Sequence, residues 1–92
     1  MADNKDTVTA SKLLRTGTGL LMGMVLSAGS GSVLFTFYDN TAGSGTKILE
    51  VSVSTSQVFV LLLPVSYFVN FSTGLYLVIG VGGYATVWWR EY

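Results

Sequence analysis

Five carboxylates are spread over this 92-residue sequence, and no histidine or cysteine accompanies them. The commonest general base, the commonest transition-metal ligand and the thiolate nucleophile are therefore missing, and most catalytic schemes go with them. The carboxylates do not pair into an acid/base couple either. Asp3 and Asp6 fall near the start, Asp39 falls in a turn, and Glu50 and Glu91 fall in β-patterned segments. Asp39-Asn40 could open a calcium loop, but such a loop needs several oxygen ligands at fixed spacing, and the Thr-Ala-Gly-Ser-Gly that follows supplies no carboxylate. Asp39 is expected instead to cap its own turn. Gly17-Thr18-Gly19 has neither a following helix nor a Lys-Ser/Thr pair, so it reads as a turn and not as a phosphate loop. No catalytic residue, metal or cofactor is expected.

The remaining chemistry lies in Trp88 and Trp89. Adjacent strand residues point to opposite faces, so one indole should enter the core and the other should face a neighbour. A carbohydrate or base platform is the alternative, although few convergent polar groups accompany the pair. Lys47, Arg90 and Tyr92 read as solvated rim residues.

The elements that must carry these residues are strands. Val33, Phe35 and Phe37 alternate with Leu34, Thr36 and Tyr38; Leu49, Val51 and Val53 alternate with Glu50, Ser52 and Ser54; Asp39-Asn40, Gly43 and Gly45 supply the bend between them. This pattern predicts a hairpin. Turn signals elsewhere delimit further runs at 7–15, 20–28, 57–63, 65–71, 75–81 and 84–91, with Pro64 marking a strand end or an edge. About eight short antiparallel strands predict an all-β fold, a single small β-sandwich or jelly-roll-like domain over 7–92. Residues Met1, Ala2, Asp3, Asn4, Lys5 and Asp6 are polar enough to read as a flexible N-terminal arm. That start has no apolar core of a signal peptide.

Half of the residues are hydrophobic and 11% are charged, against roughly 25% charged in a typical soluble domain. A chain this short buries only roughly 60–65% of its unfolded surface, so the excess apolar surface should meet partner subunits or lipid. Lys plus Arg balance Asp plus Glu at five each, which argues against a nucleic-acid partner. Thirty-nine uncharged residues separate Glu50 from Arg90 and twenty-three separate Arg15 from Asp39, lengths that flag transmembrane helices. A small holin-like membrane protein is therefore one alternative. Against it, Ser, Thr, Asn, Gln, Gly and Pro64 interrupt the longer stretch, and β-branched and aromatic residues dominate it. No membrane partner is expected.

Several strands carry apolar residues on both faces. Leu75, Leu77, Ile79 and Val81 oppose Tyr76 and Val78, while Tyr67, Val69 and Phe71 oppose Phe68. The outer face of a lone sandwich should be polar, so the second face predicts an interface containing Tyr67, Phe68, Tyr76, Trp88 and Trp89.

Three segments carry a family resemblance: Arg15-Thr16-Gly17-Thr18-Gly19, the hairpin from Tyr38 to Thr46, and Phe71 to Leu75 with its closing Gly-Leu. With the strand ending Trp88-Trp89-Arg90-Glu91-Tyr92, they make residues 7–92 resemble the small β-sandwich head-decoration (cement) proteins of tailed bacteriophages. The resemblance implies a virion structural protein, a homotrimer on the capsid outer surface that bridges major capsid protein subunits and stiffens the shell, with the N-terminal arm ordering on the capsid. Related sandwiches also occur in tail and fibre proteins, so a receptor-binding tail module is a further alternative. The chain departs from the resemblance at Val58 to Val65, a run greasier than an exposed decoration protein needs.

Overall fold

The hairpin expected between Ser32 and Ser54 forms, as β4 (Val33–Asp39) and β5 (Thr46–Val53) in antiparallel register from Val33 opposite Val53 to Asp39 opposite Thr46. The computed structural model describes residues 3–29, 31–64 and 68–91. Seven further strands build on the hairpin: β1 (Asp3–Val8), β2 (Lys12–Thr16), β3 (Gly19–Ala28), β6 (Val58–Leu62), β7 (Val69–Phe71), β8 (Gly74–Ile79) and β9 (Gly83–Glu91). They form two antiparallel sheets. Sheet A runs β1-β9-β3-β6, with β7 also on β3, and sheet B runs β2-β8-β4-β5. The chain changes sheet at every connection except β4–β5 and β6–β7, which is the two-sheet winding of a jelly roll.

Alternation puts one face of each sheet inward. Leu21, Met24, Leu26, Val87 and Trp89 from sheet A meet Phe35, Phe37, Leu75 and Leu77 from sheet B, all of them at most 7% exposed. The charged residues are displaced to the margins. Asp3, Lys5 and Asp6 lie on β1, Lys12 and Arg15 on β2, and Lys47 and Glu50 on β5, so three strands at sheet edges hold seven of the ten charges.

Three expectations need correction, and one alternative loses support. Residues 3–6, expected in a loose arm, belong to β1 and pair with β9 from Asp3 opposite Arg90 onward; ladder hydrogen bonds to an otherwise uncovered strand hold them although they bring no apolar side chain of their own. The single run expected at 7–15 breaks at residues 9–11, where the chain passes from sheet A to sheet B. Val81 does not continue the core face of β8: the strand ends at Ile79 and Val81 is fully exposed in the following turn. The uncharged stretches fold as strands and turns wherever they are described, and no helix among the described residues is long and apolar enough to cross a membrane. That disfavours the two-helix, holin-like alternative.

Candidate functional site

Trp88 and Trp89 part as strand geometry requires, and β9 decides which goes where. Trp89 lies opposite Leu21 of β3 and Asn4 of β1 and enters the core. Its indole N–H donates to Asp6 Oδ2 at 3.0 Å, and the Arg15 guanidinium stands 5.9 Å from its ring centre. Lys12 Nζ reaches the other oxygen of Asp6 at 3.5 Å. Trp89, expected among the interface residues, is thus a core residue that closes one end of the sandwich. The correction follows from register: β1 and β3 flank β9 and place its odd-numbered residues inward.

Trp88 faces outward, half-buried. It lines an open hollow of about 220 Å³ on the outer face of sheet A together with Met22, Gly23, Leu62, Leu63 and Phe68. A bulge between Leu21 and Gly23 in the β3–β9 pairing makes room for Met22 there. Phe68, at one side, lies 5.5 Å from the Arg90 guanidinium. Beyond Leu62, itself 68% exposed, the same face continues along β6 through Val60 and Val58, which are 57% and 61% exposed. Tyr84, 60% exposed, lies farther along β9. Its side chains are apolar apart from the Trp88 indole N–H, so the hollow offers shape and hydrophobic area and no titratable side chain that could move a proton or hold an ion.

Tyr76 has a different setting. It lies on the outer face of sheet B, opposite Leu13 and Tyr38, and the β4–β5 loop folds over it. A Cβ on Gly43 would stand 2.8 Å from Val78 and 3.3 Å from the Tyr76 ring, so only glycine lets the loop lie this close. The second apolar face of β8 is thus largely covered by the chain itself. Beside Val78 on this face, Thr36 is only 4% exposed, and its hydroxyl donates to Glu50 Oε2 at 3.3 Å. Lys47 Nζ adds a 3.0 Å contact to that carboxylate. Its hydrogen bond and charge hold the Glu50 carboxyl below its ordinary value, and Glu50 in return raises Lys47.

Asp39 does not cap its own turn. Its carboxylate reaches across to the β7–β8 turn and accepts from the main-chain N–H of Ser72 at 3.0 Å, Thr73 at 2.8 Å and Gly74 at 3.4 Å, and from the Ser72 hydroxyl at 3.4 Å. Partial burial alone would raise this carboxyl, but the backbone donors outweigh it and the pKa falls below the ordinary value. Asn40 holds the hairpin loop instead, donating to Ser44 O at 2.7 Å. The junction is tight: a Cβ on Gly74 would stand 2.8 Å from Asn40 O and 2.9 Å from Arg15 O.

Of the residues expected at an interface, the structure brings together Trp88 and Phe68, sets Tyr76 on the other sheet and Trp89 in the core, while Tyr67, Met1 and Ala2 lie outside the described residues. Sequence reasoning missed Met22, Val58, Val60 and Leu62 as members of this surface. The signal was the uncharged Val-Phe-Val-Leu-Leu run before Pro64, whose alternate residues face out. Among the described residues no group of three or more His, Cys, Asp or Glu could hold a metal ion.

Architecture and surface together define an all-β sandwich with an apolar outer face. No protein-family model and no curated protein matches the chain. Among solved structures it is similar to a chain described under "Bacillus endospore appendages form a novel family of disulfide-linked pili", with 11% identity and a TM-score of 0.59 over 98% of this chain and 87% of that one. At that identity the likeness concerns the fold alone.

Proposed function

We propose that the chain is a structural subunit of a protein assembly, a decoration or cement protein that lies on the outer surface of a phage capsid and bridges major capsid protein subunits. In this reading it catalyses nothing and works by association. The observation that carries it is the outer face of sheet A, where Met22, Leu62, Leu63, Phe68 and Trp88 surround an apolar hollow that continues onto exposed Val60 and Val58. Contiguous apolar surface of this kind is characteristic of sites where proteins meet. The capsid as partner is supported by the resemblance of the segments at Arg15–Gly19, Tyr38–Thr46 and Phe71–Leu75. The fold's occurrence in a protein described as forming pili is consistent with a role in assembly. That protein's pili are described as disulfide-linked; this chain has no cysteine, so its contacts would be non-covalent. Repeated copies on a shell would add avidity to individually weak contacts.

The test is co-sedimentation with empty phage heads and, separately, with purified tails. Retention by heads, weakened at least about tenfold by Trp88→Ala as expected for an aromatic anchor, supports the proposal. Retention by tails alone, or head binding indifferent to Trp88→Ala, contradicts it.

A further inference from the structure

The two sheets have four edges, and one of them lacks protection among the described residues. Unpaired edge strands are templates for another strand, and proteins guard them with charge, bulges or cover. β1 carries Asp3, Lys5 and Asp6; β2 carries Lys12, Arg15 and a bulge between Leu13 and Arg15; β5 carries Lys47 and Glu50, with a register shift opposite Phe37 and Tyr38. The fourth edge, where β6 and then β7 lie beside β3, has no charged residue.

The direction of the β6 main chain follows from two hydrogen bonds. Ala28 N–H donates to Gln57 O at 3.1 Å and Leu63 N–H donates to Met22 O at 3.0 Å. In an antiparallel ladder every second residue turns both its main-chain groups to the partner, so Phe59 and Leu61 share that direction with Gln57 and Leu63. Val58, Val60 and Leu62 therefore turn their N–H and C=O groups away from β3, toward the open side. Their side chains are also the exposed ones.

We infer that β6 pairs with β6 of a second copy, antiparallel about a two-fold axis at Val60, so that sheet A continues from one chain into the next. That register sets Val60 opposite its own mate and Val58 opposite Leu62, all residues whose main chain already faces outward. It closes about six inter-chain hydrogen bonds and places apolar side chains beside apolar ones at every step. Pairing β6 with β1, β2 or β5 of a copy would instead set Lys, Arg, Asp or Glu against Val and Leu and desolvate them without a counter-charge. A second copy of the same uncharged edge is the occupant that avoids this. Pro64, which has no N–H, stops the added ladder just past Leu62. Two-fold pairing gives a dimer, or joins two of the trimers that the resemblance implies. It does not depend on the capsid as partner and requires no capsid to be observed.

Because the chain has no cysteine, a single engineered thiol can cross-link only to its own mate. Val60→Cys in each of two paired chains lies about 5.5 Å apart between Cα atoms, within disulfide reach. Under mild oxidation Val60→Cys should run as a covalent dimer, while Leu34→Cys, exposed on sheet B, should stay uncross-linked. Amide exchange on the unmodified chain gives an independent reading should the variant misfold. The N–H groups of Val58, Val60 and Leu62 should be protected in the associated state and exposed on dilution, while those of Phe59 and Leu61 stay protected throughout. Failure of Val60→Cys to cross-link in a folded, associated sample overturns the pairing. So does fast exchange of Val58, Val60 and Leu62 at concentrations where the chain is associated, a chain that is monomeric throughout, or protection that appears only on adding heads.

Discussion

The junction around Asp39 and the edge at β6 lie on different sheets and treat their polar groups in opposite ways. At Asp39 one carboxylate gathers three main-chain N–H groups and a hydroxyl from a turn more than thirty residues away, and the neighbouring glycine leaves no room for so much as a methyl group. At β6 three residues turn their main-chain groups outward beside exposed valine and leucine side chains. The first region is closed within one chain; in the pairing inferred above, the second is completed by another. The difference suggests a division of labour: the few charges hold and guard the fold, and the edge without them is the one proposed to meet a partner.

Substitutions at adjacent tryptophans should separate the two kinds of region most strongly. Trp89→Ala, which empties a core site and strips Asp6 of its indole donor, should cost about 3–5 kcal/mol in denaturant unfolding. Trp88→Ala should cost far less in the isolated chain and act mainly on association. Equal destabilisation by both would erase the distinction.

Next in size are changes at the junction. Gly74→Ala forces the new methyl against two carbonyl oxygens and should cost about 1–3 kcal/mol, read as a lowered urea midpoint. Asp39→Asn keeps the shape but loses the charge that receives the donors, and should cost on the order of 1–2 kcal/mol at neutral pH. Because the folded pKa of Asp39 lies below its ordinary value, its contribution is complete above the ordinary carboxylate range and is lost as pH falls through the folded value. Wild type should therefore lose stability on acidification below about pH 4, and Asp39→Asn should show a shallower acid limb. Parallel pH curves for the two proteins would remove Asp39 from the account.

The smallest effect is expected at Lys47. Its ion pair with Glu50 is exposed, and exposed pairs contribute little, so Lys47→Ala should leave the melting temperature within experimental scatter. A clear drop would mean that the β5 edge contributes more to holding the fold than the comparison allows.

Much of this architecture was legible in the sequence where local pattern and burial agree. The hairpin at Val33–Asp39 and Thr46–Val53, the stop near Pro64 and the opposite fates of two adjacent tryptophans all follow from alternation and turn residues. What could not be read was decided by pairing across the fold. Residues 3–6 have no apolar alternation, and their strand exists because β9 accepts it. Which indole enters the core depends on the register of β9 against β3. The reach of Asp39 to Ser72, Thr73 and Gly74 has no local signature, and a turn-capping aspartate was the reasonable local expectation. Tyr76 looked like a free outer residue because nothing in the sequence says that the β4–β5 loop folds back over it. The β6 edge was visible as a greasy run, but its open side emerged only once β3 proved to be its one strand neighbour among the described residues.

The most direct test is the mass of the purified chain by light scattering without detergent, across a concentration series, for wild type, Val60→Lys and Leu34→Lys. The account predicts an even multiple of the 9.8 kDa chain for wild type. Val60→Lys, which gives β6 the charge its fellow edges carry, should halve that mass with unchanged circular dichroism, and Leu34→Lys should leave it alone. A wild-type mass of one chain at every concentration, or a mass indifferent to Val60→Lys, would contradict it.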